Sequence, residues 1–268
     1  MIKDEEFIRI ASHMKQRYGI DLYQKKVIVN GRLENYIKRG GWKTFDEFMN
    51  AVENDKTGNQ EKMLVNFLTT NHTYFMREFE HFDFFKNEVL PWLKQKEAAR
   101  KDLRISCVAS SSAEEPYMIA MVLADFFGME RSQWDTKVLA TDISTKVLQK
   151  AMAGGYTADQ LKSIPDHWKK RFFNPFAGGT QFQVKQELKD EVIFRQFNLM
   201  DPFPFRRKMH PIFLRNLMIY FDEKTKRELV QKVYDTLEPG GYLFIGTTET
   251  LDRSSTAFRI IQPSIFRK

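Results

Sequence analysis

Two kinds of hydrophobic spacing divide the chain near residue 100. Before that point, apolar residues recur every three to four positions, as in amphipathic helices, in EEFIRIASHMKQRYG, KKVIVNGRLENYIKR, TFDEFMNAVEN and QEKMLVNFLTT. After it, short apolar runs such as LRISCVA and YLFIGTT alternate with helical patterns such as EPYMIAMVLADFFG. The pattern predicts a helical domain over residues 1–70, a linker with a connecting helix over 71–99, and an α/β domain with a mostly parallel sheet over 100–268.

One stretch of the second half departs from this alternation of runs and helices. In FNPFAGGTQFQVKQELKDEVIF, polar and apolar residues alternate on both sides of Gly178 and Gly179. Alternation around a glycine turn is typical of antiparallel strands. We therefore predict a small antiparallel β insertion at about residues 172–195.

The charge balance changes this picture little. The formal net charge is +7, but acids and bases nearly balance over residues 1–80 and the later excess is scattered, as in HWKKRFF and FRRKMH. This distribution favours a solvated mixed surface over a nucleic-acid tract, although a positive protein still attracts acidic partners. No apolar run approaches the roughly 20 residues of a membrane helix, and MIKDEEFIRI is too acidic for a signal peptide, which predicts a cytoplasmic protein.

Histidine and cysteine give little chemistry of their own. The five histidines and the single Cys107 show no metal-ligand spacing, so no metal is predicted, and Cys107 is expected to be a buried core thiol. His210 precedes a proline, which would weaken strand pairing, and this predicts a residue at a strand edge or in a turn.

The residues that follow each predicted strand are the candidates for a site, because ligands of such sheets bind beyond the carboxyl ends of the strands. After the first strand comes SSSAEE, a turn without glycine whose serines can cap the next helix. Glu114 and Glu115 open that helix. Their charge disfavours a polyphosphate such as ATP or the dinucleotide NAD and suits a zwitterionic or cationic ligand.

Polar residues also follow three further predicted strands. Asp142 in VLATDIS can accept hydrogen bonds from the ribose of an adenosine ligand, or it can cap the helix after it. Asn198 with Leu199, and Arg215 with Asn216, follow the next two. An asparagine both donates and accepts, as an adenine edge requires, but asparagines are also common in turns. None of these residues alone decides the ligand.

Six strings, in their order and spacing, resemble the CheR family of S-adenosylmethionine-dependent methyltransferases, which methylate glutamate side chains of bacterial chemoreceptors. They are NHTYFMRE, SSAEEPYMIAMVLAD, VLATDIS, FNLMD, IFLRNLMIYFD and LEPGGYLFIGTTETL, and RLENYIKRGGWKTFDEF of the helical half also matches. The resemblance implies a Rossmann-like class I methyltransferase sheet, with S-adenosylmethionine as cofactor and S-adenosylhomocysteine as product. Ser110 and Ala113 depart from the family pattern, which usually has cysteine and glycine there.

The resemblance also implies roles for individual residues. Arg77 and Tyr220 are the implied catalytic residues: Arg77 can orient a carboxylate, and Tyr220 can place its ring beside the sulfonium. No strong general base is required, because the acceptor carboxylate is already ionised at neutral pH. The implied cofactor contacts are Asn71, Thr73, Arg77, Ala109, Glu115, Asp142, Asn198, Leu199, Arg215 and Asn216.

The helical half carries the implied substrate contact. Lys25, Arg32 and Arg39 are spaced by seven, so on one helix they share a face as a basic stripe. The resemblance assigns this stripe to docking of the acidic cytoplasmic helical domain of chemoreceptors, and a solvated face is the alternative. The β insertion resembles a subdomain that in some members docks a receptor tail peptide.

The function predicted from the sequence is thus a monomeric, cytoplasmic glutamate methyltransferase without a nucleic-acid partner, a metal or direct membrane insertion. Two alternatives stay open. One is a catalytically impaired relative that binds cofactor or receptor without turnover, which the departures at Ala113 and His210 would favour. The other is a nucleic-acid methyltransferase, which the positive charge favours although the chain lacks the Asn-Pro-Pro-aromatic run that holds a flipped base.

Overall fold

The first quarter of the chain is entirely helical in the computed structural model, which describes residues 1–252 and 255–268. Its helices are α1 (Asp4–Tyr18), α2 (Lys26–Arg39), α3 (Phe45–Asn54) and α4 (Asn59–Leu68). Their apolar stripes bury a common core that includes Ile10, Met14, Leu33, Phe48 and Leu64. None of the helices among the described residues combines the length and apolarity needed to cross a bilayer.

A linker without regular structure leads from α4 to a bent helical segment. This segment consists of α5 (Glu80–Phe84), a π-helical turn (Phe85–Val89) and α6 (Leu90–Lys96). Phe82, Phe85 and Leu93 on its inner face are fully buried in the core of the second half. The segment therefore packs as part of the α/β layer, although it is separated from the first strand by a turn.

The second half is built on a seven-stranded sheet, as the sequence predicts. Its strands are β1 (Ile105–Val108), β2 (Val138–Asp142), β6 (Val192–Gln196), β7 (Met209–Leu214), β8 (Leu237–Ile245), β9 (Arg259–Gln262) and β10 (Ile265–Arg267). The spatial order is β6-β2-β1-β7-β8-β10-β9, parallel from β6 to β8 and antiparallel at β10 and β9. Because the chain runs outward from β1 in both directions, the carboxyl ends of β1, β2 and β7 form the crevice where such sheets bind ligands.

Helices connect the strands and cover the sheet. They are α7 (Glu114–Phe127), α8 (Thr145–Ala153), α9 (Asp166–Phe172), α10 (Gln186–Lys189) and α11 (Glu223–Thr236). Helix α7 is buried along almost its whole length, which explains its almost uninterrupted apolar sequence. The predicted α/β architecture with a preceding all-helical part is confirmed.

The small antiparallel sheet exists, but its extent differs from the predicted range of about 172–195. Its strands are β3 (Gly155–Thr157), β4 (Phe173–Phe176) and β5 (Gln181–Val184), in the order β3-β5-β4. Strand β3 lies before the predicted range, whereas β6 lies within it yet pairs with β2 in the large sheet. Alternation along the chain identifies a strand, but it does not identify the sheet that the strand joins.

His210 lies inside the large sheet and not at a strand edge or in a turn. It is fully buried in β7, and the pairing with β8 shifts register between Met209 and Pro211, which accommodates the proline. Its Nδ1 accepts a hydrogen bond from the Arg104 backbone (3.1 Å), and its Nε2 lies 3.3 Å from a Glu97 carboxylate oxygen. Burial, together with the charge of Arg104, lowers the pKa of His210 to about 4.

The same cluster is relevant to the prediction of no metal. In the described part of the chain, Glu97, His210 and Glu238 form a group whose ligand atoms lie within 4.8 Å of one another. The guanidinium of Arg104 lies among them, 2.6 Å from His210 Nε2 and in an ion pair with Glu238. The guanidinium of Arg104 thus already contacts two of these three groups, His210 and Glu238.

Candidate active site

A cavity of about 270 Å³ opens between the helical half and the carboxyl ends of β1, β2 and β7. Its wall includes every residue that the resemblance implies as a cofactor contact, together with Tyr220, Lys25 and Arg32. Arg39 is exposed on α2 and is not part of the wall. The fold thus brings together residues that span 195 positions of sequence between Lys25 and Tyr220. Their individual roles remain predictions.

The turn after β1 reaches the cavity through left-handed backbone at residues other than glycine. Ala109, Ser111 and Ala113 have φ of 54°, 50° and 74°. Ala113 is the residue before α7, and it lacks a side-chain cap, so the prediction that serines cap this helix is wrong. Ser112 Oγ instead donates to the Glu114 carboxylate at 2.7 Å. The strained turn exposes backbone towards the cavity without the glycines that usually permit it.

Asp142 at the end of β2 is held from both sides. Its two carboxylate oxygens accept backbone hydrogen bonds from Ser111 and Ser144, each at 2.9 Å. Ser144 is the cap of α8, so the alternative that Asp142 caps this helix does not hold. Burial raises the pKa of Asp142, and the backbone hydrogen bonds from Ser144 and Ser111 oppose this rise. Each oxygen keeps a second lone pair, which suits ribose hydroxyls.

Arg215 at the end of β7 is buried between two carboxylates. Its Nη1 lies 3.2 Å from Glu115 Oε1, and its Nη2 lies 3.1 Å from Glu78 Oε2. Burial raises the pKa of Glu115, and the charge of Arg215 opposes this rise. The contact with Glu115 is an ion pair without hydrogen-bond geometry, so Glu115 Oε1 is buried without a hydrogen-bond partner among the described residues.

The loop after β7 is fixed by Glu249, which sequence analysis did not single out. Its carboxylate accepts backbone hydrogen bonds from Asn216 (2.8 Å), Met218 (2.6 Å) and Gly246 (2.7 Å). A Cβ atom at Gly246 would lie 2.3 Å from Asn216 Nδ2, so only glycine fits there. The signal for Glu249 was available, since it is an acidic residue inside the string LEPGGYLFIGTTETL.

Asn198, after β6, contacts the helical half directly. Its side-chain Nδ2 donates to the carbonyl of Arg17 at 2.8 Å, and its Oδ1 accepts from the Met200 backbone at 3.1 Å. The side chain is therefore already engaged in holding α1 against the sheet. Any contact with a ligand would use its remaining lone pairs or its backbone.

Two cations lie where the cavity meets the helical half and the linker. Arg77 donates to the carbonyl of His72 (3.0 Å) and lies 5.7 Å from the ring centre of Tyr74. Lys25 Nζ lies 5.2 Å from the ring centre of Tyr220. Within the described part of the chain, neither cation forms an ion pair.

The basic stripe on α2 does not form as predicted. Lys25 precedes the helix, and Arg32 is half-buried because its guanidinium donates to the carbonyls of Phe67, Leu68 and Thr69 at the end of α4. The spacing of seven gave no indication that the end of α4 lies beside Arg32 and accepts its hydrogen bonds. Of the three cations, Arg39 alone is exposed.

The cavity suits S-adenosylmethionine by its donor set. The Glu115 carboxylate, which is ion-paired with Arg215 on one oxygen, keeps lone pairs that can accept from an ammonium group. Asp142 can accept from ribose hydroxyls, and Arg77 can pair with a carboxylate. The wall has carboxylates on the strand side and no phosphate-binding glycine turn. This combination fits a zwitterionic nucleoside better than a polyphosphate.

Comparison with known proteins gives two family matches along this chain. Residues 71–266 match the CheR methyltransferase SAM-binding domain, and residues 5–69 match the CheR methyltransferase all-alpha domain. A chemotaxis protein methyltransferase of Borreliella burgdorferi is 40% identical over 100% of this chain and 95% of its own. One of Escherichia coli is 34% identical over 99% of this chain and 91% of its own.

A solved structure, the glycopeptide N-methyltransferase MtfA complexed with sinefungin, is 15% identical with a TM-score of 0.37, covering 65% of this chain and 54% of that one. We draw no functional conclusion from so distant a similarity. The two family matches together span almost the whole chain, and the full-length relatives exceed 30% identity. The chain therefore belongs to the CheR family of methyltransferases, and its cofactor is S-adenosylmethionine.

Proposed function

We propose that the protein transfers the methyl group of S-adenosylmethionine to glutamate side-chain carboxylates on the cytoplasmic helical domain of bacterial chemoreceptors. The relatives described above are named chemotaxis protein methyltransferases, which supports the pathway. The observation that carries the acceptor chemistry is the pair of cations, Arg77 and Lys25, which line the cavity and form no ion pair with any residue that the structure describes.

The geometry suits a reaction that depends on positioning. When bound, the cofactor supplies a methyl group on a sulfonium, which an ionised carboxylate can take by direct displacement without losing a proton. Arg77 can hold the acceptor carboxylate with its planar guanidinium. Lys25 Nζ and the ring of Tyr220, 5.2 Å from each other, also line this cavity.

The experiment is methylation of a purified receptor cytoplasmic fragment with tritiated S-adenosylmethionine. Methyl esters release methanol in base, whereas N-methyl groups do not. We expect base-labile label on a fragment with glutamate at its methylated positions and none on a matched fragment with glutamine there. Binding of cofactor without any labelling would support the catalytically impaired alternative, and labelling of nucleic acid would support the other one.

A further inference from the structure

The linker carboxylate Glu78 does not line the cavity, but it accepts five hydrogen bonds from three residues, two of which, Arg215 and Asn216, do line it. Its Oε1 accepts from Asn216 Nδ2 (3.1 Å) and from the backbone (3.2 Å) and hydroxyl (3.0 Å) of Thr247. Its Oε2 accepts from Arg215 Nε (3.2 Å) and Nη2 (3.1 Å). One carboxylate thus ties the linker to the ends of β7 and β8.

The environment of Glu78 demands a carboxylate. The side chain is only 12% exposed. Burial alone would raise its pKa, but the hydrogen bond from Asn216, the charge of Arg215 and the contacts of Thr247 bring the pKa below its ordinary value. Every hydrogen bond to this carboxylate comes from an N–H or O–H group, of Arg215, Asn216 or Thr247. A glutamine of the same shape would turn an NH₂ group towards some of those donors and leave them unpaired.

The backbone around Glu78 is held in an unusual conformation. Met76 and Glu78 have φ of 67° and 52°, left-handed values on both sides of Arg77. Arg215 Nη2 also donates to the carbonyl of Arg77, so a side chain at the end of β7 holds the peptide between Arg77 and Glu78 in place. Such strain persists only where surrounding contacts impose it. The contacts of Glu78 with Arg215, Asn216 and Thr247 are contacts of that kind.

We propose that Glu78 is a positioning residue for methyl transfer, which holds Arg215 and Asn216 in the wall of the cofactor cavity and fixes the peptide that carries Arg77. It acts through these neighbours. The inference rests on the S-adenosylmethionine-dependent reaction and not on the identity of the methyl acceptor.

The test compares Glu78→Gln with Glu191→Gln in the full chain. Glu191 is a suitable control because it also accepts from a hydroxyl, Thr136 Oγ1 (3.0 Å), and lies 3.1 Å from a guanidinium nitrogen, Arg131 Nη2, but at the opposite end of the sheet. We expect Glu78→Gln to bind S-adenosylhomocysteine at least tenfold more weakly by calorimetry. At saturating S-adenosylmethionine, its kcat should also fall at least tenfold. Glu191→Gln should keep both values within twofold, whatever its melting temperature.

A milder variant keeps the proposal testable if Glu78→Gln does not fold. Thr247 is exposed, and Thr247→Val removes its hydroxyl, one of the donors to Glu78. This variant should weaken S-adenosylhomocysteine binding about two- to fivefold. Wild-type affinity and turnover in a folded Glu78→Gln protein would overturn the proposal, as would unchanged affinity in Thr247→Val if that variant alone folds. A wild-type protein that methylates no receptor would defeat the proposed function, while the binding difference between the variants would still report on Glu78.

Discussion

Ala113 holds its backbone at a φ of 74° while its methyl group is fully buried in front of α7. Alanine in this region carries roughly 1 kcal/mol or more of strain that glycine does not. Ala113→Gly should therefore change the free energy of unfolding by less than about 1 kcal/mol, because relief of the strain offsets the lost methyl contact and the added unfolded-state entropy. Urea unfolding and calorimetry with S-adenosylmethionine measure stability and binding, and binding should be retained.

Ala120→Gly is the matched control for this substitution. Ala120 is equally buried, but it lies in the middle of α7 with ordinary helical geometry. The same change there should cost about 2 kcal/mol, because it loses helix propensity and a buried methyl contact and relieves no strain. Equal losses at the two positions would show that the backbone at Ala113 is not strained, and a folded Ala113→Gly protein that no longer bound cofactor would contradict this account of the turn.

Asp142 combines a structural and a predicted binding role, since its oxygens already accept from Ser111 and Ser144. Asp142→Ala should lower the binding free energy of S-adenosylmethionine and of S-adenosylhomocysteine by the same amount, about 1 to 3 kcal/mol, because both ligands carry the same ribose. Parallel calorimetric titrations measure the two affinities. Unchanged affinity for both ligands would refute the assignment, and loss of one alone would move Asp142 away from the ribose.

At the scale of the element, Arg32 and Arg39 lie on the same helix, α2, but in different environments: Arg32 is half-buried and Arg39 is exposed. Arg39→Glu should leave the melting temperature and cofactor affinity unchanged but slow receptor methylation, most at low salt, because an exposed charge acts on an acidic partner through screened attraction. Arg32→Glu should instead lower the free energy of unfolding by about 1 to 3 kcal/mol, because it removes the donor to the carbonyls at the end of α4.

Thermal unfolding and initial methylation rates at two salt concentrations distinguish the two residues. A destabilised Arg39→Glu protein, or an Arg32→Glu protein as stable as the wild type, would contradict the separation. If Arg39→Glu methylated receptor at the wild-type rate in low salt, this part of α2 would be a solvated face and not a docking surface.

At the scale of the whole molecule, two buried histidines make stability depend on pH. Burial is the main cause that lowers the pKa of both His81 and His210 to about 4, with the charges of Arg215 and Arg104 adding to it. The unfolded chain, with a pKa near 6.5, binds more protons between pH 6.5 and 4, so stability is lost as pH falls through this window. Each histidine should cost up to about 2 kcal/mol at pH 5 relative to pH 7.

The raised pKa values of the buried carboxyl groups of Glu114, Glu115 and Asp142 make stability rise as pH falls, which opposes the effect of the histidines. The contribution of one histidine is therefore measured by substituting it. His210→Asn should lose less unfolding free energy between pH 7 and pH 5 than the wild type, and its amide oxygen can still accept from the Arg104 backbone. His167→Asn, at an exposed position, should lose as much as the wild type. Identical losses in all three proteins would show that His210 does not titrate as proposed.

The sequence alone determined the helical first part, the alternating α/β second part and the strand ends that meet at the cavity. These features follow from hydrophobic period and chain order, because parallel strands bring their carboxyl ends to one edge. Asp142, Arg215 and Asn216 could therefore be predicted as site residues from the sequence, and in the structure all three line the cavity.

The tertiary structure alone decided how these residues are held. Glu78 meets Arg215 across 137 positions of sequence, Arg32 meets the end of α4 across 35 to 37, and β6 joins the large sheet through β2. Periodicity within a segment carries no information about which distant donor reaches a carboxylate. The left-handed turn at Ala113 likewise depends on contacts that override the local preference of alanine, so a pattern of residue types could not reveal it.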